Sequence, residues 1–306
     1  MTTVLRRAAL GLLLLSGIGS AHAQSCISLA STDVAVTESF DTLATSGTSS
    51  ALPPGWALRE TGTNANGLYT AGTGSSNTGD SFSFGASGSS ERALGGLRSG
   101  SLVPGFGACL RNDTGGDLTA LELAYVGEQW RMGTAGRTDR LDVQVSYDAT
   151  SLADGSWSTL AELAFVAPST TGTVGLRDGN AAANRTALST TIEALAVPQG
   201  ATVWLRWVDT DASGADDGLG IDDVRITARG AGISPPRVSV ADAAADEGDA
   251  GTTPLFFTFS LNKPAGDGGV VVDWATADGN AGAGNDYVAA AGQATIAAGQ
   301  TSVTIS

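Results

Sequence analysis

Between Asp209 and Val224 the chain reads DTDASGADDGLGIDDV, a run that holds six aspartates. Oxygen donors at this density suit three kinds of chemistry. They can coordinate calcium, which takes six to eight oxygens. They can work in pairs as the acid and base of a carboxylate enzyme. They can also simply be hydrated, the ordinary state of an Asp-, Ser- and Gly-rich turn. Asp209-Thr210-Asp211-Ala212-Ser213-Gly214 matches the opening of an EF-hand loop, with ligands at positions one, three and five and a glycine for the bend. The twelfth position is Gly220 where a bidentate Glu is required, and no helical pattern flanks the run, so an EF-hand is excluded. A looser calcium loop remains open, in which Asp209 and Asp211 are joined by Asp216, Asp217 and Asp222 as the chain folds back.

Histidine narrows the alternatives. The one histidine, His22, lies in a leader-like segment. Without it the chain has no Ser-His-Asp or Cys-His arrangement and no imidazole for zinc. Carboxylate chemistry, cation binding or no chemistry is left. The carboxylate pair weighed for a histidine-free glycosidase is Glu122, on an expected strand, and Glu128, near its end. Against it, Glu91-Arg92, Glu128-Arg131 and Asp139-Arg140 read as ion pairs that pin loops. Trp56, Trp130, Trp157, Trp204 and Trp207 are either core or, in part, a sugar-stacking platform.

The segment that carries His22 reads as a signal peptide over residues 1–23. Arg6 and Arg7 precede the short apolar run Ala8 to Ile18, and Ala21-His22-Ala23 supplies a cleavage site before Gln24. The expected protein is secreted, extracellular or at the cell surface, with no transmembrane segment after cleavage. The net charge of −15 includes those two arginines, and Lys263 is the only lysine. Such a surface repels phosphate backbones, so nucleic acid is not expected as a direct partner. Cys26 and Cys109 are the only cysteines and, in an oxidising compartment, are expected to form one disulfide. Asn112-Asp113-Thr114 and Asn184-Arg185-Thr186 fit the glycosylation sequon.

The elements that must position these groups are strands. Leu141 to Asp148 alternates strictly between apolar and polar, as do Leu121, Leu123 and Tyr125. Ala201 to Val208 is apolar on both faces, as in a sandwich core. Leu255, Phe257, Phe259 and Leu261 alternate again, followed by Val270, Val272 and Trp274. Short strands between Gly, Asn, Asp and Pro clusters predict an all-β chain of antiparallel sandwiches. A Gly/Pro connector at 231–236 separates a jelly-roll-like module at 24–230 from a second unit at 237–306. In the strand that follows Gly220, alternation places Asp222 on the side of Val224 and Ile226, facing the core, and Asp223 outward beside Arg225. A carboxylate so placed requires a cation or several donors.

The second unit resembles a Calx-beta domain. The residues that carry the resemblance are Val238-Ser239-Val240-Ala241-Asp242, Asp246-Glu247-Gly248-Asp249, Leu255 to Leu261, Val271 to Gly279, Ala283 to Tyr287 and Ala297 to Ser302. The resemblance implies an immunoglobulin-like sandwich, incomplete at its C-terminal end. It also implies two calcium-ligand positions, Glu247 and Asp278, too few to fill a calcium shell by themselves. Asp286, before Tyr287 in a turn, is expected to bond locally. Residues 38–228 resemble an N-terminal module of large exported bacterial proteins, through Ser39-Phe40-Asp41, Leu52-Pro53-Pro54-Gly55-Trp56, Glu91-Arg92-Ala93 and Gly127-Glu128-Gln129-Trp130-Arg131. Some of those proteins carry an endonuclease/exonuclease/phosphatase domain.

The expected function is that of a non-catalytic, calcium-associated adhesion or spacer protein with a glycan or cell-surface ligand. The competing expectation is a targeting region of a longer secreted hydrolase of the nuclease/phosphatase class.

Overall fold

The structure, a computed structural model, describes residues 25–230, 235–246, 251–266 and 268–306. The leader at 1–23 and the calcium position assigned to Glu247 lie outside the described residues.

The chain is all-β. Residues 25–230 form two sheets. In the first, of seven strands, the order is Ile27–Leu29, Val103–Asn112, Thr202–Asp209, Arg140–Ser146 and Ser158–Thr159, with Trp56–Thr61 paired to Val103–Asn112 and Phe165–Val166 paired to Arg140–Ser146. The second, of nine strands, is built around Leu118–Met132, Gly218–Gly230, Ala93–Leu97 and Asp80–Phe84 in that order. Arg185–Ile192 lies along Leu118–Met132, and Ala35–Glu38 along Gly218–Gly230. Pairing is antiparallel except between Ile27–Leu29 and Val103–Asn112 and between Tyr69–Gly72 and Asp80–Phe84.

Period-two patterning explains the layers. On the strand Leu118–Met132, Leu121, Leu123 and Tyr125 face the core, as do Leu141, Val143 and Val145 on Arg140–Ser146 and Val203, Leu205 and Trp207 on Thr202–Asp209. Trp207 is fully buried at the centre. Trp56 stacks on it at 5.7 Å between ring centroids and Tyr125 meets it edge-on at 5.6 Å. The Tyr125 hydroxyl donates to the Leu163 carbonyl, which gives the polar end of a buried ring its partner.

Both outer faces are partly covered. On the seven-stranded sheet, Trp204 packs with Cys109, Ala149 and Leu152. On the nine-stranded sheet, Phe82, Phe84, Ala93, Leu97 and Trp130 form a small second core. That covering explains why Thr202–Asp209 reads as apolar on both sides.

Residues 235–306 carry a three-stranded sheet of Val238–Val240, Phe257–Leu261 and Ser302–Ile305, and a two-stranded sheet of Val270–Ala275 and Ala291–Ile296. Phe259, Leu261, Ala265, Ala294 and Ile296 form their core.

Cys26 and Cys109 are joined in a disulfide across 83 residues of sequence, tying the N-terminal segment to the seven-stranded sheet. Closing a loop of that length constrains the unfolded chain by about 4 to 5 kcal/mol in the loop-entropy model. Reduction, or the Cys26→Ser/Cys109→Ser double variant, is therefore expected to lower the melting temperature of the first unit by several degrees in a calorimetric scan. An unchanged melt would show that the bridge adds nothing to the fold.

Candidate cation site

Strand pairing brings the chemistry together from distant parts of the sequence. Leu141 pairs with Asp209, so Asp139, just before the strand Arg140–Ser146, arrives beside the end of Thr202–Asp209. The return loop before Gly218–Gly230 then delivers Asp216. Asp139, Asp209 and Asp216 are each buried, and each offers one carboxylate oxygen such that the three lie within 4.8 Å of one another.

Two of these carboxylates are held by donors. Asp139 accepts the N–H groups of Arg140 at 2.9 Å and Asp217 at 2.7 Å, and its Oδ2 lies 3.1 Å from Arg137 Nη1. Asp216 accepts the Ala212 N–H at 3.2 Å. Asp209 is different. It is 5% exposed, and both of its side-chain oxygens are buried without a hydrogen-bond partner. Arg98 reaches only its backbone carbonyl, at 3.2 Å. Burial pushes the Asp209 carboxyl up to about 9, with repulsion from Asp139 and Asp216 adding to the effect and Arg98 opposing it. Burial also raises Asp216.

The remaining aspartates of the run separate. Asp217 faces the same region but is already saturated. It accepts Gln129 Nε2 at 2.7 Å and the Gly133 N–H at 2.7 Å, with Arg137 3.8 Å away. Burial lifts its carboxyl to about 6 against those donors. Asp211, expected as a ligand, is on the surface, where its side chain is 73% exposed and pairs with Arg98 Nε at 3.2 Å. Asp222 is not part of this cluster at all. A bulge between Asp222 and Arg225 inserts a residue, with Asp223 at φ 49°, and this shifts the alternation. Ile221, Val224 and Ile226 all face the main core, while Asp222 turns to the outer face. The expectation that it shares a side with Val224 and Ile226 is corrected by that bulge. In the second unit, Asp278 is exposed and accepts the Ala283 N–H and the Tyr287 hydroxyl, both at 2.8 Å, so it closes a turn. Asp286 likewise accepts the Gly282 N–H at 2.7 Å.

Asp139 is the member of this cluster that the sequence pattern placed elsewhere, as the partner of Arg140. Adjacent residues in extended chain point to opposite faces, so that pair does not form. Asp139 takes Arg137, and Arg140 takes Asp142 at 3.1 Å. Glu91 and Arg92 attract one another electrostatically without an ion-pair contact. Arg92 is buried and donates Nε to Ser83 Oγ at 2.8 Å. Glu128 accepts Trp130 Nε1 at 2.9 Å in place of Arg131. Glu122 pairs with Arg229 at 2.7 Å. Six residues along one strand from Glu128, it is roughly 20 Å away at about 3.3 Å per residue, well beyond the separation at which two carboxylates work on one glycosidic bond.

The tryptophans do not make a platform. Trp56, Trp130, Trp204 and Trp207 are all buried, and the partly buried Trp157 is capped by the Arg206 guanidinium 3.9 Å from its ring centroid. Both sequon asparagines are buried and engaged. Asn112 Nδ2 donates to the Gly116 and Val197 carbonyls, and Asn184 Nδ2 donates to that of Asp178.

What the three-carboxylate cluster can do is bind a hard divalent cation. Three carboxylates supply up to six oxygens, and water can complete a calcium shell. An open groove lined by Arg137, Thr138, Asp139, Thr170, Thr210 and Ser213 runs beside the cluster.

The apo protein has a defined pH response. A carboxyl whose folded pKa lies near 9 and whose ordinary value is 3.8 binds more protons folded than unfolded between those limits, so stability falls as pH rises through that window. Asp217 and Asp216 act in the same direction, with Arg137 and Arg98 as the opposing cations facing them. In chelator, the melting temperature is expected to be higher near about pH 5 than near about pH 8. With saturating calcium, binding releases those protons and the slope should flatten or reverse. Identical pH profiles with and without calcium would contradict an ion at these carboxylates.

No family model matches the chain, and no curated protein matches it. The Calx-beta resemblance of 237–306 accordingly rests on its motifs alone. Among solved structures, the chain is similar to the K3 cleaved adhesin domain of Lys-gingipain from Porphyromonas gingivalis w83. The TM-score is 0.33 at 15% identity, over 57% of this chain and 92% of that one. It is similar also to the CBM22-1–GH10 modules of Clostridium thermocellum endo-1,4-beta-D-xylanase 10B complexed with xylohexaose. There the TM-score is 0.30 at 15% identity, over 65% of this chain and 29% of that one. Likenesses of this degree carry no argument about ligand or activity.

Proposed function

We propose that this chain is a non-catalytic, exported adhesion or spacer protein whose first sandwich is locked by a divalent cation, calcium by preference, at Asp139, Asp209 and Asp216. The observation that supports this reading is the Asp209 carboxylate, buried with neither oxygen partnered. An isolated buried carboxylate costs several kcal/mol unless it is neutralised. A bound cation removes that cost and at the same time ties the strand end at Asp209 to the loops that carry Asp139 and Asp216. The result is a stiff sandwich end. The polar groove beside it, with its threonine hydroxyls and the Arg137 guanidinium, is where a glycan or cell-surface ligand would meet the module. The second unit serves as a Calx-beta-like spacer. The disulfide fits an exported protein. No helix among the described residues is long and apolar enough to cross a membrane.

Calcium at about a hundredfold over its Kd adds about 2.7 kcal/mol to the folded state. For a unit of this size, that corresponds to a rise of roughly 5 to 10 °C in melting temperature over the chelated protein. Asp209→Asn keeps the shape and removes the charge. It is expected to melt no lower than wild type in chelator and to lose most of the calcium shift. If wild type melts identically in calcium and in chelator, the cation reading fails.

A further inference from the structure

A second group of carboxylates lies on the other side of the nine-stranded sheet, away from the main core. Glu128 is on the strand Leu118–Met132, Asp222 is at the bulge of Gly218–Gly230, and Glu91 just precedes Ala93–Leu97. Gly220 pairs with Glu128 and Ile221 with Leu94, which brings these three strand regions side by side. One oxygen from each residue lies within 4.8 Å of the others. Glu128 is completely buried and Asp222 is 6% exposed.

Each of these carboxylates accepts a hydrogen bond from one donor. Trp130 Nε1 donates to Glu128 Oε2 at 2.9 Å, the Asp223 N–H donates to Asp222 Oδ1 at 2.7 Å, and Asn180 Nδ2 donates to Glu91 Oε2. The other oxygens of Glu91 and Glu128, each Oε1, are buried with no partner. None of the ion pairs among the described residues reaches the three carboxylates. Arg185, across the ladder from Glu128, is the cation that faces it most directly, beyond ion-pair range. A fully buried carboxylate with one oxygen held by a donor and the other left without a partner, close to two further carboxylates, suits the ligand set of a metal site.

The cover over this group is also specific. The segment that carries Asn180 crosses Trp130 so closely that a Cβ on Gly179 would meet the indole nitrogen at 2.4 Å. Asn184, at the end of the segment, bonds to Asp178 O and accepts from Ser169 Oγ.

We propose that Glu91, Glu128 and Asp222 form a second divalent-cation site, separate from the one at Asp209, in which the ion holds the Asp178–Asn184 segment down on the sheet through Glu91 and Asn180. Its preferred ion is calcium, since carboxylates of two lengths on three strands suit a large, geometrically tolerant cation. The site is closed to substrates by its cover, so its output is mechanical, a pinned surface segment.

The test is calcium titration of the chelator-stripped full chain by calorimetry, with terbium as a luminescent substitute. Wild type is expected to bind two ions. Asp209→Asn should leave one, and Glu128→Gln should leave the other. Glu91→Gln, at a half-buried position, should abolish binding at the second site in a protein that folds even if Glu128→Gln does not. Terbium bound at the second site sits against the Trp130 indole, so indole-sensitised emission should persist in Asp209→Asn and disappear when Glu91→Gln is added to it. Limited proteolysis within residues 178–184 should be slowed by calcium in wild type and in Asp209→Asn, and unaffected by it in Glu91→Gln. One ion per chain, abolished by Asp209→Asn and untouched by both glutamate variants, would overturn this site while sparing the first. No bound ion in wild type would overturn both.

Discussion

Asp209 places a carboxylate inside a β-sandwich where no N–H or O–H reaches either oxygen. Much of the first unit can be read outward from that constraint. A buried charge in a low-dielectric interior is tolerated only when it is protonated, paired or metal-bound. The surrounding architecture makes pairing unavailable, because the guanidinium of Arg98 is spent on a backbone carbonyl and on Asp211, and that of Arg137 on Asp139. Two more carboxylates, at Asp139 and Asp216, are then packed against Asp209, which worsens the repulsion. Such a concentration of like charge is tolerated where a proton or a bound cation neutralises it.

The Asp209 cluster and the Glu128 cluster share one construction. In each, N–H donors hold some of the carboxylate oxygens while other buried oxygens are left unpartnered. Both draw their ligands from strands or loops far apart in sequence, so an ion in either would cross-link the sheet ends much as the Cys26–Cys109 bridge cross-links the N-terminal segment. In a chain with so much glycine and so few long side chains, such cross-links supplement a core that depends heavily on a few aromatic rings around Trp207.

The carboxylates that a glycosidase mechanism would need are positioned against it. Glu122 is engaged by Arg229 at the surface, and Glu128 is sealed beneath the Asp178–Asn184 segment. The tryptophans that could have stacked on sugar rings are turned inward because both faces of the sheets are covered.

What the sequence by itself determined is the class of structure and the side-chain groups on hand for any chemistry. Alternation at Leu141–Val145 and Phe257–Leu261, and the double-sided apolar run around Trp204–Trp207, are local properties, so the strands were legible without a fold. So was the narrowing to carboxylates, since it follows from composition. The grouping of the acids was decided only by tertiary structure. Asp139 joins Asp209 through a strand pairing across some seventy residues, and one bulged residue at Asp223 sends Asp222 to the opposite face of its sheet. Neighbours in the run such as Asp211 and Asp216 part company because a turn exposes one and buries the other. Spacing along a chain records which donors are available. Register, bulges and the covering of sheet faces decide which of them meet, and those depend on contacts between residues that no local pattern links.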